Sequence, residues 1–383
     1  MQLTKGQEQA VKVCVERYRN KEPYTVIAGV AGVGKSTAVQ YIVEALNIPA
    51  EEVAYATFTG KASLVLRNKG CNEAMTLHKL LYIPQKIPHS DDIEFIPRTT
   101  LEKWYKLIVV DEASMISKEI FDLLLSHKIH IIFLGDHFQL PAVGENANIL
   151  ANPHVVLTEI TRQALDSPII RLSMDLREGK PLVYGGAKEA RIIPRSKVSE
   201  KLLLGADIIL CGKNATRHSL NEQVRKLKWK DKFQEGPVDG DKVMCLQNYW
   251  RVADSSGETC LVNGMIGTIS QLRLSNTKLL KPKLTAKFVN EDGAVFNKMS
   301  MNIDYKMLTK HVPTVNSDNW RDFYKVQKPL LFDYADCITV HKSQGSQWDK
   351  VLVFAEMMGD RENYFKWCYT AVTRSVDRCI LVV

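Results

Sequence analysis

Residues 29–36 read Gly-Val-Ala-Gly-Val-Gly-Lys-Ser, three spaced glycines followed by a cation and a hydroxyl. Gly29, Gly32 and Gly34 let the backbone bend so that its N–H groups, including those of Val33 and Thr37, converge on one concavity. The helix that follows adds positive potential there, so the loop accepts phosphate oxygens. Lys35 supplies a cation for the outer phosphates of a nucleotide, and Ser36 a hydroxyl for Mg²⁺. A second group is the acidic pair Asp111-Glu112, which directly follows Leu107-Ile108-Val109-Val110. At the carboxyl end of a strand, one carboxylate holds the metal (Asp111) and the other positions or deprotonates an attacking water (Glu112). Gln139, in Gly135-Asp136-His137-Phe138-Gln139, has the reach to meet a γ-phosphate. Arg374 and Arg162 are candidates to neutralise charge on a transferring phosphoryl group, as an arginine finger does. A surface ion pair is the alternative for either arginine alone.

The elements that must position these groups are legible as patterns. Thr25-Val26-Ile27-Ala28 is a β-branched run before the loop, and Ser36 to Leu46 carries Val39, Ile42, Val43 and Leu46 on one helical face. Strand, glycine loop and helix is the context the loop requires. Apolar runs near 25–28, 53–57, 107–110 and 129–134, separated by helical segments, predict a parallel α/β sheet with ligand at the strands' carboxyl ends. The alternation resumes at 207–211, 337–340, 351–354 and 379–383, in a half with no phosphate loop of its own. One half that binds nucleotide and another that offers an arginine describe a cleft able to close on ATP.

A chain of 383 residues predicts two or three domains. Hydrophobic content of 45% and charged content of 25% are ordinary for a globular protein. No apolar run is long enough to cross a bilayer, and Met1 to Gly6 does not resemble a signal peptide. Eight scattered cysteines without a Cys-x-x-Cys pair argue against a zinc site and for reduced thiols in a cytosol. Net charge is +8, and between Arg273 and Lys328 eleven Lys/Arg face five Asp/Glu. A solvated face and a nucleic-acid-facing module explain that stretch equally well.

Taken in order, the motifs resemble superfamily 1 helicases, and in detail the 5′→3′ branch typified by RecD and the phage Dda helicase. The resemblance rests on Leu3-Thr4-x-x-Gln7, Gly29–Ser36, Thr57-Phe58-Thr59-Gly60-Lys61-Ala62, Thr76-Leu77-His78, Asp111-Glu112-Ala113-Ser114, Gly135–Pro141, Thr161-Arg162-Gln163, Val340-His341-Lys342-Ser343-Gln344-Gly345 and Tyr369–Arg374. It implies two RecA-like parallel-sheet lobes, at 1–170 and at 171–237 with 330–383, and an ATP- and Mg²⁺-dependent DNA helicase. It also implies that Gln7 meets adenine and that Gln139, Arg162, Arg374 and Gly345 meet the γ-phosphate. Thr57, Thr59, Lys61, Thr76, His78, Asn214, Asn263, Thr339, His341 and Lys342 would line single-stranded DNA. Short hydroxyls and amides suit that task because they bond phosphates without reading sequence.

Two inserts follow from the same resemblance. Residues 79–105 read as a hairpin around His89-Ser90-Asp91-Asp92, where relatives carry a duplex-splitting pin; a surface excursion is the alternative. Residues 238–329 read as glycine-punctuated short strands, where relatives carry an SH3-like barrel; this tilts the basic stretch toward DNA, while Trp320, Phe323 and Tyr324 read as core before base-stacking groups. Ser346-Gln347 departs from the acid often found after Gln-Gly, which puts a ribose contact there in doubt. Starting at the adenine motif and ending on a strand, the chain is expected to act as a compact, monomeric enzyme of a bacterial or phage-infected cytosol, on single strands and single-strand/duplex junctions, without a membrane. Rival readings are a single-strand translocase that displaces proteins or remodels forks with little unwinding, a nucleotide-gated binding protein, and an RNA motor.

Overall fold

The computed structural model describes residues 3–68, 70–71, 73–86, 93–140, 147–234, 236–256, 260–275, 283–303, 330–357 and 359–383. The hairpin tip with His89, Ser90, Asp91 and Asp92, Pro141, Trp320, Phe323, Tyr324 and the part of the basic stretch from 304 onward lie outside the described residues, as do the side chains of Lys61 and Arg162. The chain forms two compact units, Met1–Val198 with Thr339–Val383, and Ser199–Ile338.

The first unit opens with α1 (Lys5–Arg19), capped reciprocally: Thr4 accepts from the Gln7 amide, and Gln7 returns the bond to the Thr4 backbone. Its first sheet uses β1 (Tyr24–Gly29), β2 (Val53–Thr57), β3 (Met75–Thr76), β6 (Leu107–Val110), β7 (His130–Gly135) and β8 (Val155–Leu157). The order is β3-β2-β6-β7-β1-β8 and every pairing is parallel. β6 and β7 are buried along their whole length, as expected of parallel strands covered on both faces. Because β6, β7 and β1 are adjacent, their carboxyl ends deliver Asp111, Asp136 and the phosphate loop to one edge.

The expected hairpin is present as β4 (Tyr82–Lys86) against β5 (Ile93–Pro97), antiparallel, with Ile83 opposite Ile96. Both isoleucines are exposed. Further along, β9 (Gly185–Gly186) pairs antiparallel with β10 (Ala190–Ile193).

In the second unit, β11 (Ile208–Cys211) precedes the helix Asn214–Trp229. A closed barrel follows, built from β12 (Lys242–Cys245), β15 (Ile266–Ser275), β16 (Lys283–Asn290), β17 (Val295–Ile303) and β18 (Leu330–Tyr334), with the short ribbon β13 (Tyr249–Ala253) and β14 (Cys260–Leu261) between its first two strands in sequence. Phe288, Phe296, Phe332 and Ile269 fill its core. A small barrel is therefore found where the glycine-punctuated strands predicted one; it has five strands, and the last, β18, lies beyond the expected bound at residue 329. Helix 214–229 holds it through Arg217–Asp333, Arg225–Asp241 and Lys228–Asp336. Asp241 is the centre of that grip: it accepts from Arg225 Nε at 3.0 Å, Trp229 Nε1 at 2.8 Å and Val238 N at 2.7 Å. The Arg225 guanidinium also lies 3.9 Å from the Tyr334 ring centroid. A buried charge so fully partnered is fixed in place.

The chain returns to the first unit after β19 (Cys337–Thr339), with β20 (Trp348–Phe354) and β21 (Ser375–Val382). β20 pairs parallel with β21, and β21 parallel with β10, so a second parallel sheet is built as predicted. The helix Arg361–Val372 buries Trp367 and Tyr369 completely. None of the eight cysteines forms a disulfide. Among the described residues no helix is long and apolar enough to cross a membrane.

Candidate active site

The phosphate loop leaves β1 and enters the helix Lys35–Leu46 through Gly34, whose φ is +72°. A Cβ there would lie 2.5 Å from Gln7 Nε2, so the position demands glycine. Gln7 is buried and its amide is engaged: Nε2 donates to Val33 O at 3.0 Å and Gly34 O at 3.3 Å, and Oε1 accepts from Thr4 N at 3.0 Å. One end of α1 therefore grips the loop from below. The Lys35 ammonium donates to Gly29 O at 2.7 Å and Val30 O at 3.2 Å, which holds it across the loop's mouth. Ser36 and Asp111 line one small cleft together. A hydroxyl and a carboxylate there are hard oxygen donors of the kind Mg²⁺ takes.

Glu112 takes a left-handed backbone (φ +56°), uncommon for a residue with a Cβ. Its amide donates to Asp111 Oδ1 at 2.8 Å. Burial raises the Glu112 carboxyl above the usual range; Arg374 opposes this, Asp111 adds to it, Lys35 opposes it and Asp136 adds. Arg374 is buried, with Nη1 3.9 Å from Glu112 Oε1. Its Nε donates to Thr370 O at 3.1 Å and its Nη2 to Thr373 Oγ1 at 3.3 Å.

The turn after β7 is held from the C-terminal segment. Asp136 Oδ1 accepts from Phe138 N at 3.0 Å, and Oδ2 from Tyr369 Oη at 2.6 Å. The same Tyr369 oxygen accepts from the loop amide Ala31 N at 2.9 Å. Leu140 N donates to Thr370 Oγ1 at 2.9 Å, and Gln344 Nε2 to Leu140 O at 2.6 Å. Gln139 lies 3.5 Å from Asp136 through Nε2, while its Oε1 is buried without a hydrogen-bond partner among the described residues. Asp136, Tyr369, Thr370 and Gln344 carried no assigned role in the sequence, although all four sit inside motifs quoted there. Their meeting joins residues 233 positions apart, which no local pattern announces.

The candidates for a nucleic-acid path fall into distinct settings. Thr57 is fully buried, and its hydroxyl is spent on Thr59 O at 2.8 Å and Ser63 Oγ at 2.7 Å. Thr59 Oγ1 donates to Gly345 O at 3.4 Å and caps the amide of Ala62. Thr76 caps its own short helix through Lys79 N. His78 stacks on Tyr82 with ring centroids 5.6 Å apart, and burial lowers its pKa. Thr339 stands at the start of the turn of His341 and Lys342 without a side-chain capping bond; His341 is half-buried with a pKa likewise lowered by burial, and Lys342 is exposed. In the other unit Asn214 and Asn263 are both exposed. The first unit thus brings Lys35, Ser36, Asp111, Glu112, Gln139, Gly345 and Arg374 into one compact body, while Asn214 and Asn263 belong to the second.

This fold and site define a P-loop ATPase. The AAA domain model matches residues 2–193, and the UvrD-like helicase C-terminal domain model matches residues 334–382. The chain belongs to this AAA-domain family, and its C-terminal segment matches a helicase domain model. It is 30% identical over 194 residues to the ATP-dependent DNA helicase dda of Enterobacteria phage T4, covering 46% of this chain and 43% of that protein. To the ATP-dependent RecD2 DNA helicase of Deinococcus radiodurans it is 32% identical over 168 residues, covering 42% and 22%. The chain spans less than half the length of these two curated relatives. Among solved structures, Bacteroides Pif1 bound to single-stranded DNA aligns with a TM-score of 0.52 at 19% identity, over 100% of this chain and 92% of that one. That likeness establishes the fold: two RecA-like parallel sheets with a hairpin and a closed barrel inserted.

Proposed function

We propose that the chain is an ATP-dependent DNA helicase that moves 5′→3′ on single-stranded DNA and opens duplex ahead of it. The observation that carries the reading is the meeting, inside one unit, of the P-loop with Glu112, Gln139 and the deeply buried Arg374. A protein that merely bound nucleotide would have no use for a water-directing acid and an arginine together. The choice of DNA rests on the likeness to the DNA helicases dda and RecD2, and polarity on the motif resemblance alone.

In this reading Lys35 and the loop amides would hold the β- and γ-phosphates, and Ser36 and Asp111 would hold Mg²⁺. Bound there, the ion would draw charge from the phosphate oxygens. Glu112 accepts the proton of the attacking water, and the partnerless Oε1 of Gln139 accepts its second hydrogen. Arg374, joined by Arg162, neutralises the γ-phosphate as it leaves. Gly345 approaches that phosphate by backbone, and a lone pair of Gln7 Oε1 serves the adenine amino group. Thr59, Lys61, Thr76, His78, Thr339, His341 and Lys342, with Asn214 and Asn263, lie along the strand; Thr57 supports Thr59 from beneath. Lobes at 1–170 and at 171–237 with 330–383 change their grip on the strand as one triphosphate bridges Lys35 and Arg374 and is released. The hairpin acts as a pin, and the barrel at 238–329 adds cations to the path. The enzyme works as a monomer in the cytosol.

Strand separation on duplexes carrying either a 5′ or a 3′ tail, with and without ATP, tests the motor and its direction together. Unwinding of the 5′-tailed duplex alone, dependent on ATP, is the expected result. Hydrolysis indifferent to added single strands would defeat it.

A further inference from the structure

Tyr369 touches two functional segments with one oxygen. It accepts the Ala31 amide of the phosphate loop at 2.9 Å and donates to Asp136 Oδ2 at 2.6 Å. Its ring packs edge-on against Phe138, with centroids 5.1 Å apart, and only 1% of the residue is exposed. Burial, then the Asp136 charge, pushes the phenol far up, so the hydroxyl keeps its proton and donates to the carboxylate. In the proposed ATPase each end of this bridge would bear on the γ-phosphate. Ala31 lies on the limb of the loop opposite the helix start, beside the Gly29 and Val30 carbonyls that hold the Lys35 ammonium. Asp136 holds Phe138 N and Gln139 Nε2. The next residue after Tyr369, Thr370, holds Leu140 N and supplies the carbonyl that fixes Arg374 Nε.

We propose that Tyr369 is a positioning residue that senses the γ-phosphate, because its hydroxyl and a phosphate oxygen compete for the Ala31 N–H. This inference rests on the proposed ATPase reading. When a triphosphate takes that N–H, Tyr369 keeps only its bond to Asp136. The tie between loop and C-terminal helix is exchanged for one between nucleotide and loop, and Gln139 and Arg374 are re-aimed through Asp136 and Thr370. A diphosphate, which reaches the helix start and not the outer limb, leaves the tie intact.

The consequence separates sensing from support. In Tyr369→Phe the ring and its packing remain, while Ala31 N–H loses its acceptor in the free protein and regains one only with a triphosphate. A hydrogen bond no longer broken on binding tightens a non-hydrolysable ATP analogue by about two- to tenfold. Affinity for ADP stays unchanged, and strand-stimulated kcat falls by about tenfold or more as Gln139 loses its anchor. A ring that only supported the fold would weaken both nucleotides together.

Equilibrium binding of the analogue and of ADP to wild type and Tyr369→Phe, with kcat and thermal midpoint for each, is the test. Tighter analogue binding with unchanged ADP binding and lower kcat is expected; unchanged or weaker analogue binding overturns the proposal. Should the variant not fold, amide exchange over residues 136–140 of the wild type decides: it must respond to the analogue and not to ADP. An equal response to both refutes sensing. A wild type that binds and hydrolyses ATP while failing these comparisons leaves the ATPase reading standing; one that binds no nucleotide sinks both.

Discussion

Arg374 Nη1 stands 3.9 Å from Glu112 Oε1, too long for a tight ion pair and close enough for each charge to govern the other. The arginine is fixed by Thr370, Thr373 and Ser346, so it cannot follow the carboxylate if that moves. Burial raises the Glu112 carboxyl, and Arg374 is the first influence that opposes the rise.

A water-activating base must be ionised, so hydrolysis is expected to fall on the acid side, with an apparent pKa above the ordinary carboxylate range. Arg374→Gln should lower strand-stimulated kcat by about 10³-fold or more. It should also move the acid limb to higher pH, because the residue that held the carboxyl down is gone. Arg374→Lys, which keeps the charge and loses the fork, should lower kcat while moving the limb less. A pH–kcat profile of the three proteins measures both effects; a limb that stays fixed in Arg374→Gln would mean that Glu112 does not set it.

Gln7 is a clamp on the loop before it is anything else. Removing its amide in Gln7→Ala strips hydrogen bonds from the Val33 and Gly34 carbonyls and from the α1 cap. The cost is about 1–3 kcal/mol of stability. The KM should rise for ATP and GTP alike, and more for ATP if the remaining lone pair meets adenine. Parallel titrations of the two nucleotides separate the clamp from the base contact.

The chemistry of the loop and the strands that carry it was legible because each is local. Glycine spacing, a β-branched run and a terminal acid are written within a few residues, and β1, β6 and β7 follow them. The barrel was legible for the same reason, as glycine-bounded short strands. What the sequence hid depends on distance or burial. Tyr369, on the helix Arg361–Val372, and Asp136, after β7, meet across 233 positions of sequence. Thr57 reads as a strand contact, yet sits fully buried with its hydroxyl satisfied inside the turn. Strands as short as β3 and β9 offer too few residues for any period to show.

Asp241 tests how the barrel is held. Asp241→Ala leaves the Arg225 guanidinium buried without its charge partner, along with the Trp229 and Val238 donors. Breaking one side of a buried pair costs about 3–5 kcal/mol. Calorimetry should show the unit 199–338 melting earlier, while the KM for ATP, set in the other unit, stays near that of the parent. A single unshifted transition would argue that the ion pair is dispensable.

Gly345 has φ +74°, and a Cβ there would lie 2.8 Å from Thr59 Oγ1. Gly345→Ala therefore meets two penalties, a left-handed backbone costing about 1–2 kcal/mol and a side-chain collision. Thr59→Ala relieves only the second. The double variant should recover part of the lost thermal midpoint, with the backbone share remaining; complete recovery would place all the strain in the collision.

His130 predicts how the first sheet responds to acid. Its Nε2 lies 3.1 Å from Thr25 Oγ1 and its Nδ1 2.7 Å from Glu22 O, so a neutral ring satisfies both. Burial lowers its pKa below the usual 6.5; the Glu22 carbonyl opposes the shift and Arg17 adds to it. The unfolded chain therefore takes up the proton first as pH falls. Stability from this residue is complete above the unfolded value and is lost progressively below it, down to the folded pKa, where it levels. Urea midpoints should decline between pH 7.5 and about pH 5.5, before carboxylates titrate. His154, whose Nδ1 accepts Val26 N at 2.9 Å, has its pKa lowered by the same cause and adds to the decline. In His130→Asn the whole curve should sit lower, because a packed ring is lost, and its slope over that window should shrink. An unaltered slope would show that the proton goes elsewhere.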